Sequence, residues 1–209
     1  MTRPATSNSE VEGIVLAAGL SRRMGAVKMG LTIVRKTLLE WALEPYLRSE
    51  LKRVILVLPE DFSFFEQDDR LSVVRNPRPQ DGLSSSLKLG LAECLSGAAV
   101  IGLGDQPMVR PETIDSMVSA HQGLGAKIVV PVFSGKRGNP VLFDRALFPQ
   151  ILAVSGDVGA KQVITANEGL VLELDVQDDG ILVDVDTPGD LEAARARLAQ
   201  RLEGESGQH

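Results

Sequence analysis

The stretch Gly13-Ile-Val-Leu-Ala-Ala-Gly-Leu-Ser-Arg-Arg-Met-Gly-Ala-Val-Lys28 carries the strongest structural signal in the chain. Residues 14–18 form an apolar run of the length expected for a buried strand. The run breaks into a loop that contains Gly19, Gly25 and Gly30. Because glycines after a buried strand let backbone N–H groups approach a ligand closely, the stretch predicts a strand followed by a ligand-binding loop.

The loop is basic although the chain as a whole is acidic. No Asp or Glu occurs between Gly13 and Leu39, and the cations in this window are Arg22, Arg23, Lys28, Arg35 and Lys36. Such a cluster favours an anionic ligand, in particular a polyphosphate, and the alternative is a solvated basic loop at the domain edge. The spacing fits neither the Walker phosphate loop nor the dinucleotide-binding glycine fingerprint.

The composition is typical of a single α/β domain. With 209 residues and 44% hydrophobic content, we expect one domain over residues 11–203, between disordered tails at 1–10 and 204–209. A net charge of −6 and an aromatic content of 4% argue against a nucleic-acid partner. No apolar run reaches the roughly 18 residues of a membrane span, and the first residues lack a signal-peptide core. We therefore expect no membrane partner and a cytoplasmic location.

Cysteine and histidine are too scarce for several kinds of site. Cys94 is the only cysteine, so neither an internal disulfide nor a thiolate zinc cluster is expected. The only histidines are His209, the last residue, and His121, which we expect at the surface late in a helix. Two histidines are too few to make a histidine metal site or a histidine-dependent catalytic triad a favoured expectation.

Apolar runs alternate with helical patterns along the chain. We expect strands at 11–17, 53–58, 71–75, 98–103, 127–133, 141–143, 170–175 and 181–185, and helices at 37–49, 84–95, 112–121, 144–153, 157–167 and 188–202. Ser84 or Ser85 is the expected cap of the second helix, and Trp41 is expected in the core. The alternation predicts a Rossmann-like, doubly wound, mostly parallel sheet with helices on both faces.

Acidic residues follow two of the predicted strands. Asp105 comes just after the strand at 98–103, and Asp184 and Asp186 are placed two residues apart, on one face of the predicted strand at 181–185 and its end. Carboxylates at the carboxyl ends of strands, close to a basic loop, suit a Mg²⁺ ion that bridges phosphates. The alternatives are a turn role for Asp105 before Pro107, and a helix cap at Asp186 or Thr187.

The basic loop resembles the signature of the MobA-like nucleotidyltransferases, Leu-Ala-(Ala/Gly)-Gly-x-Ser-x-Arg-Met-Gly-x-x-Lys. The matching positions are Leu16, Ala17, Ala18, Gly19, Ser21, Arg23, Met24, Gly25 and Lys28. Residues 102–107 and 184–190 resemble two further motifs of this family, the first of which binds metal in it. The resemblance implies a fold of the nucleotide-diphospho-sugar transferase type. It also implies that Arg23, Lys28 and Asp105 are catalytic and that Asp105 with Asp184 or Asp186 binds Mg²⁺.

Within the family, the chain resembles the molybdenum cofactor cytidylyltransferase branch, in which Ala at position 18 goes with cytosine. The implied nucleotide-binding residues are Leu16, Ala17, Ala18, Gly19, Arg22, Arg23, Lys28, Asn76, Gly82 and Ser86. The implied acceptor-binding residues are Gly138, Asn139, Pro140 and Asp157. Asn139 stands where the branch usually has His, and Asn cannot titrate near neutral pH. A plain helix cap is the alternative for Asp157.

The resemblance implies transfer of CMP from CTP to the terminal phosphate of molybdenum-bearing molybdopterin, with release of pyrophosphate. The partners expected on this basis are CTP, a pterin-phosphate acceptor, and a molybdoenzyme or its maturation chaperone. One alternative is a transferase that uses GTP or another phosphorylated acceptor. Another is a non-catalytic carrier or insertion chaperone that holds the finished cofactor for a molybdoenzyme.

Overall fold

The computed structural model describes residues 10–18, 28–64, 68–156 and 160–206, with side chains up to 203. The strands are β1 (Val11–Leu16), β2 (Thr32–Ile33), β3 (Lys36–Thr37), β4 (Val54–Pro59), β5 (Leu71–Asn76), β6 (Ala98–Leu103), β7 (Ile128–Phe133), β8 (Lys136–Arg137), β9 (Val141–Asp144) and β10 (Val171–Asp175). The helices are α1 (Leu38–Arg48), α2 (Leu83–Glu93), α3 (Pro111–Leu124), α4 (Phe148–Ala153), α5 (Lys161–Ala166) and α6 (Pro188–Ser206). Short 3₁₀ turns connect several of them.

The main sheet is mostly parallel, as the sequence predicts. Its strand order is β10-β7-β9-β6-β1-β4-β5, with β8 added to β7 as an antiparallel hairpin. β1 lies in the middle of a parallel group and pairs with β4 on one side and β6 on the other. β9 is antiparallel to both β6 and β7. β9 is therefore the strand that joins the two parallel parts of the sheet.

Apolar side chains cover both faces of the sheet, which confirms the doubly wound arrangement. Successive residues of a strand point to opposite faces. Accordingly, Val15 belongs to the core under α1, α3 and α6, whereas Ile14 and Leu16 belong to the core under α2 and α4. Trp41 lies in the first core, 6% exposed, and donates from Nε1 to the carbonyl of Ile33 at 2.8 Å. The prediction of a core tryptophan is confirmed.

Several local predictions were wrong. Residues 181–185 form no strand, because a 3₁₀ turn occupies Asp179–Leu182 and extended backbone follows it. Neither Ser84 nor Ser85 caps α2, which begins after Gly82 without a side-chain cap. His121 is buried, at 7% exposure, rather than exposed at the surface, and its Nδ1 lies 2.9 Å from the carbonyl oxygen of Ala126.

The structure can be compared with the predicted disordered tails at only a few residues. α6 continues to Ser206, so residues 204–206 extend the last helix and do not begin a tail. Residues 1–9 and 207–209 of the predicted tails lie outside the described residues. Among the described helices, none is both long enough and apolar enough to cross a membrane.

Candidate active site

Four chain segments meet at the carboxyl edge of the central strands, and backbone hydrogen bonds join them in pairs. The Gly104 amide donates to the carbonyl of Leu16 at 2.9 Å, which joins the ends of β6 and β1. The Val185 amide donates to the carbonyl of Asp105 at 3.0 Å. The Asn139 amide donates to the carbonyl of Ile181, also at 3.0 Å. These bonds fix the relative positions of most of the sequence-predicted site segments.

Two glycines allow this close approach. A Cβ on Gly104 would lie 2.6 Å from the Cβ of Ala17, and a Cβ on Gly138 would lie 2.4 Å from the carbonyl oxygen of Ile181. Real Cβ atoms are essentially never found so close to other heavy atoms. Glycine at both positions is therefore required by the packing of neighbouring segments.

Lys28 lies between two carboxylates that are distant in sequence. Its Nζ is 3.1 Å from Asp105 Oδ2 and 3.0 Å from Asp186 Oδ1. The lysine residue is only 2% exposed, whereas the side chain of Asp186 is 59% exposed. The ammonium group thus connects the half-buried Asp105 to an acid that faces solvent. The sequence predicts these acids near the basic loop, but it does not predict ion pairs of Lys28 with them.

Charge and burial act in opposite directions on these groups. Burial alone would lower the pKa of Lys28, but the charges and hydrogen bonds of Asp105 and Asp186 outweigh it and raise that pKa above 10.5. For Asp105, burial raises the pKa above its ordinary 3.8, helped by the negative charges of Asp184 and Asp186 and opposed by Lys28. Lys28 therefore offsets only part of the effect that burial has on the pKa of Asp105.

The carboxylate of Asp186 can bind Lys28 because two other residues, Thr187 and Asp190, form the cap of α6. Thr187 Oγ1 accepts from the Asp190 amide at 3.2 Å, and Asp190 Oδ2 accepts from the Thr187 amide at 2.8 Å. This is a reciprocal capping box. Asp190 also accepts from the backbone amide of Asp186 at 3.1 Å. The cap is thus Thr187, one of the two sequence alternatives, and the Asp186 carboxylate points to Lys28.

Asp184 has a different partner, which the sequence did not predict. Gln106 Nε2 donates to Asp184 Oδ1 at 2.7 Å. Since 181–185 is not a strand, strand alternation does not place Asp184 and Asp186 together. The two acids bind different residues, although both are close enough to raise the pKa of Asp105.

The described residues can contribute to a metal site but do not complete one. Asp105 Oδ1 and Gln106 Oε1 are both buried, and neither has a hydrogen-bond partner among the described residues. Two acceptor oxygens at this edge thus have no donor or cation in the described part of the chain. Among the described residues, no group of three or more His, Cys, Asp or Glu side chains is arranged to hold a metal ion. The donor set therefore fits a Mg²⁺ ion that takes one or two carboxylates and completes its shell with phosphate and water oxygens.

The second predicted nucleotide-binding group lies at the end of β5 and the start of α2. Asn76 Nδ2 donates to the hydroxyl oxygens of Ser85 and Ser86 at 2.9 Å each, and its Oδ1 accepts from the Arg78 amide. Asn76 is 1% exposed and Gly82 has a left-handed φ of 88°. Asn76 and Ser86 are thus brought together, and the amide of Asn76 shapes the loop between them.

The predicted acceptor segment follows the β7–β8 hairpin. Arg137 is held by Glu168, with N–O distances of 2.8 and 2.9 Å, and by Glu173 at 2.6 Å. These bonds raise the pKa of the Arg137 guanidinium above its ordinary value. Gly138, Asn139 and Pro140 come next, and the Asn139–Pro140 peptide is cis.

Four predicted site residues, Gly19, Arg22, Arg23 and Asp157, lie outside the described residues. Leu16, Ala17 and Ala18 are all buried at the end of β1, so their side chains face the two cores. Any contact of this segment with a nucleotide is therefore expected through its backbone.

Comparison with known proteins identifies the family. The family model described as the MobA-like NTP transferase domain matches residues 13–171. The chain belongs to this family. As a MobA-like protein it is a nucleotidyltransferase by family, and the matched region includes Lys28, Asp105 and Asn139 but ends before Asp184 and Asp186.

Curated relatives of this MobA-like chain have several names. It is 27% identical to the purine catabolism protein PucB of Bacillus subtilis, over 90% of this chain and 97% of that protein. It is 25% identical to the molybdenum cofactor cytidylyltransferase of Escherichia coli, over 92% and 99%. A probable molybdenum cofactor guanylyltransferase of Natranaerobius thermophilus is 28% identical over 60% of this chain and 62% of that protein.

Solved structures confirm the fold. A homologue of Rv0371c from Mycobacterium sp. strain JC1 is 29% identical and superimposes with a TM-score of 0.79, over 92% of this chain and 98% of that chain. Rv0371c of Mycobacterium tuberculosis, solved in complex with manganese, is 27% identical with a TM-score of 0.70, over 88% and 97%. The expected nucleotidyltransferase architecture is thus present across nearly the whole chain.

Proposed function

We propose that this MobA-like protein transfers CMP from CTP to the terminal phosphate of molybdenum-bearing molybdopterin and releases pyrophosphate. The observation that carries the proposal is the placement of Lys28 between Asp105 and Asp186 at the carboxyl edge of β1 and β6. A buried ammonium group and two carboxylates at one edge suit a reaction that needs charge neutralisation and alignment more than a covalent nucleophile.

In the proposed reaction, an oxygen of the acceptor phosphate attacks the α-phosphorus of CTP in line. The bond between the α-phosphorus and the bridging oxygen to the β-phosphate breaks, and pyrophosphate leaves with that oxygen. Lys28 and Arg23 neutralise the triphosphate, and the backbone of residues 16–19 contacts the nucleotide. The buried Gly104–Leu16 connection keeps this backbone beside Asp105.

For the metal, we propose Asp105 and Asp186 as the protein ligands, since these two carboxylates already share one cation, Lys28 Nζ. A bound Mg²⁺ would supply Lewis-acid polarisation of the phosphate oxygens. Asp184 is the less favoured ligand because Gln106 engages its Oδ1. The manganese complex of Rv0371c, 27% identical to this chain, supports a divalent ion in this family.

Two arguments favour CTP over GTP. Ala18 is the residue that the cytidylyltransferase branch has at this place. The Escherichia coli cytidylyltransferase also aligns along 99% of its length, whereas the Natranaerobius guanylyltransferase aligns along 62%. We place the reaction in the cytoplasm, with a molybdoenzyme or its maturation chaperone as the recipient of the product.

Pyrophosphate release with CTP, GTP, ATP and UTP tests the proposal, with Mg²⁺ and molybdenum-bearing molybdopterin and with acceptor-free controls. We expect acceptor-dependent release with CTP alone. Release with GTP alone would show that the nucleotide base is guanine and not cytosine. No release, from a protein that still binds the finished dinucleotide, would support the carrier alternative and refute the transferase.

A site variant with a matched control strengthens the test. Asp105→Asn keeps the size of the side chain and removes its charge, and we expect release to fall by about 100-fold or more. The control is Asp69→Asn, because Asp69 is an exposed carboxylate just before β5, at the other edge of the sheet. Equal activity of the two variants would contradict the role of Asp105.

A further inference from the structure

A cavity of about 180 Å³ lies between α1, α6 and the segment that leads from β6 into α3. Its walls include three buried prolines, Pro45, Pro107 and Pro111. Because proline has no backbone N–H, this part of the wall offers no hydrogen-bond donor and stays apolar. The cavity is separate from the candidate active site, since neither Lys28 nor Asp105 lines it.

The side chains around this cavity carry more positive than negative charge. Among the described lining residues, the cations are Arg35, Lys36, Arg48 and Arg201, and the single acid is Glu44. This local excess is opposite in sign to the net charge of the chain, which is −6. A cleft with one sign of charge and apolar walls concentrates the electric field and attracts counter-ions.

Glu44 does not neutralise this excess. Its Oε2 lies 2.8 Å from Lys36 Nζ, and its Oε1 lies 3.7 Å from Arg48 Nη1. The Lys36 Nζ also lies 5.0 Å from the centre of the Trp41 ring, which carries no charge. Arg35 is exposed and forms no ion pair with the described residues. One carboxylate is thus shared by two cations, and Arg35 remains available to an anionic ligand.

The turn that carries Arg35 has an unusual backbone conformation. Val34 and Arg35 connect β2 to β3, and the φ of Val34 is 59°. This left-handed region is unfavourable for a β-branched residue, and strained conformations of this kind cluster at functional sites and ligand clamps. The strain at Val34 therefore fits a turn that holds Arg35 at the cavity for a ligand.

We infer that this cavity binds a small multivalent anion of the diphosphate class, held by Arg35 and Arg48 beside the proline wall. Its volume is below the roughly 300–1,000 Å³ of sites that enclose drug-sized molecules, so a diphosphate group fits whereas a whole nucleotide would leave its sugar and base outside. Arginine suits phosphate oxygens because its planar group donates two parallel hydrogen bonds. The inference goes beyond the proposed function and does not depend on it.

Fluorescence of Trp41 tests the inference, because Trp41 lines the cavity and is the only tryptophan of the chain. Titration with inorganic pyrophosphate, at constant ionic strength and without nucleotide or metal, should give a saturable change. Orthophosphate should bind at least about threefold more weakly, since it carries less charge. Adenosine, which has no phosphate, should give no change.

Adenosine diphosphate distinguishes two sources of the diphosphate group. A response as strong as that to pyrophosphate, and weakened by Arg35→Gln, would support a diphosphate carried by a nucleotide. A response to pyrophosphate alone would support the free ion.

Variants with matched controls locate the bound anion. Arg35→Gln and Arg48→Gln should each weaken pyrophosphate binding by about three- to tenfold, the range of one partly exposed charge-assisted contact. Arg195→Gln removes an exposed cation of α6 that does not line the cavity, and it should leave the affinity unchanged. Lys28→Ala removes the buried cation of the candidate active site and should also preserve the Trp41 response. Circular dichroism of each variant checks that the fold is retained.

The outcomes separate this inference from the proposed reaction. No saturable Trp41 change with pyrophosphate in the wild-type protein would overturn the anion site. A response that Lys28→Ala abolishes and Arg35→Gln leaves intact would place the anion in the candidate active site and would also overturn it. Pyrophosphate release is measured separately, so a protein that binds the anion as expected but releases no pyrophosphate would refute the transferase reaction and leave the anion site supported.

Discussion

Gln106 donates from Nε2 to Asp184 Oδ1 at 2.7 Å, and this bond fixes one of the acids at the candidate active site. The glutamine is 2% exposed, and its Oε1 has no partner among the described residues. It therefore connects the buried turn after β6 to the exposed segment before α6. Asp184 is held in this way while Asp186 stays with Lys28.

Gln106→Glu should destabilise the protein at neutral pH. The new carboxylate would be buried next to Asp105 and Asp184, with no N–H left to donate, at a cost of about 1–3 kcal/mol. Burial raises the pKa of such a group above its unfolded value, so the cost is present at neutral pH and falls as pH drops through that raised pKa. Urea unfolding at several pH values measures it. Gln150→Glu is the control, because Gln150 is exposed and only accepts from Asn167.

Lys28→Ala should strengthen metal binding and, at the same time, reduce turnover. Because Nζ now lies between Asp105 and Asp186, its removal should let Mn²⁺ bind the nucleotide-free protein about two- to fivefold more tightly. Turnover should fall by about 100-fold or more, since the triphosphate loses a buried cation. Mn²⁺ titration by electron paramagnetic resonance and pyrophosphate release give the two quantities. Lys127→Ala, which breaks only an ion pair to Asp144, should change neither. Weaker Mn²⁺ binding in Lys28→Ala would contradict the competition.

Gly90→Ala and Gly123→Ala should change stability in opposite directions, although both glycines lie inside helices. A Cβ on Gly90 would lie 2.5 Å from Ile14 Cγ2, whereas a Cβ on Gly123 would meet nothing within 4 Å. We expect Gly90→Ala to destabilise by about 1–3 kcal/mol and Gly123→Ala to stabilise by about 0.5–1 kcal/mol. Urea unfolding checks both values. A neutral Gly90→Ala would show that α2 can move away from β1.

Asp190→Asn should weaken the start of α6 in a pH-dependent way. Hydrogen bonds from the hydroxyl and amide of Thr187 and the amide of Asp186 lower the pKa of Asp190 below 3.8. The stabilisation from its charge is therefore complete well above pH 3.8 and is lost as pH falls through the lowered value. The difference in unfolding midpoint between wild type and variant should shrink over that acidic range. Glu192→Gln, on the same helix with only a surface partner in Arg195, should show no such trend.

The sequence predicted what depends on local pattern and on general topology. Uninterrupted apolar runs gave β4, β6 and β7 nearly to the residue, because strands buried on both faces have few polar positions. Asp105 follows β6 at the carboxyl edge, beside the end of β1, as the rule for parallel strands predicts, whereas the ion pairs of Lys28 with Asp105 and Asp186 were not predicted.

What the sequence missed depends on contacts between distant segments. The apolar pattern at 181–185 resembled a strand. However, Asp178 accepts from the Gly180 amide, and a Cβ on Gly180 would lie 2.1 Å from the carbonyl oxygen of Met108, so packing against another loop sets a 3₁₀ turn there. The role of Gln106 could not be predicted from the sequence, because it depends on a hydrogen bond to Asp184, which is 78 residues away in the chain.

The strand order also has a consequence for how the protein is made. The pairings of β6, β1, β4 and β5 all lie within residues 11–103, and the second half of the chain adds β9, β7 and β10 on one side only. A chain emerging from the ribosome therefore has every partner for its four-stranded parallel sheet before the later strands are synthesised. Lys28 and Asp105 come before the later strands in the chain, whereas Asp186 follows β10, so the candidate active site is complete only after every strand of the main sheet has been synthesised.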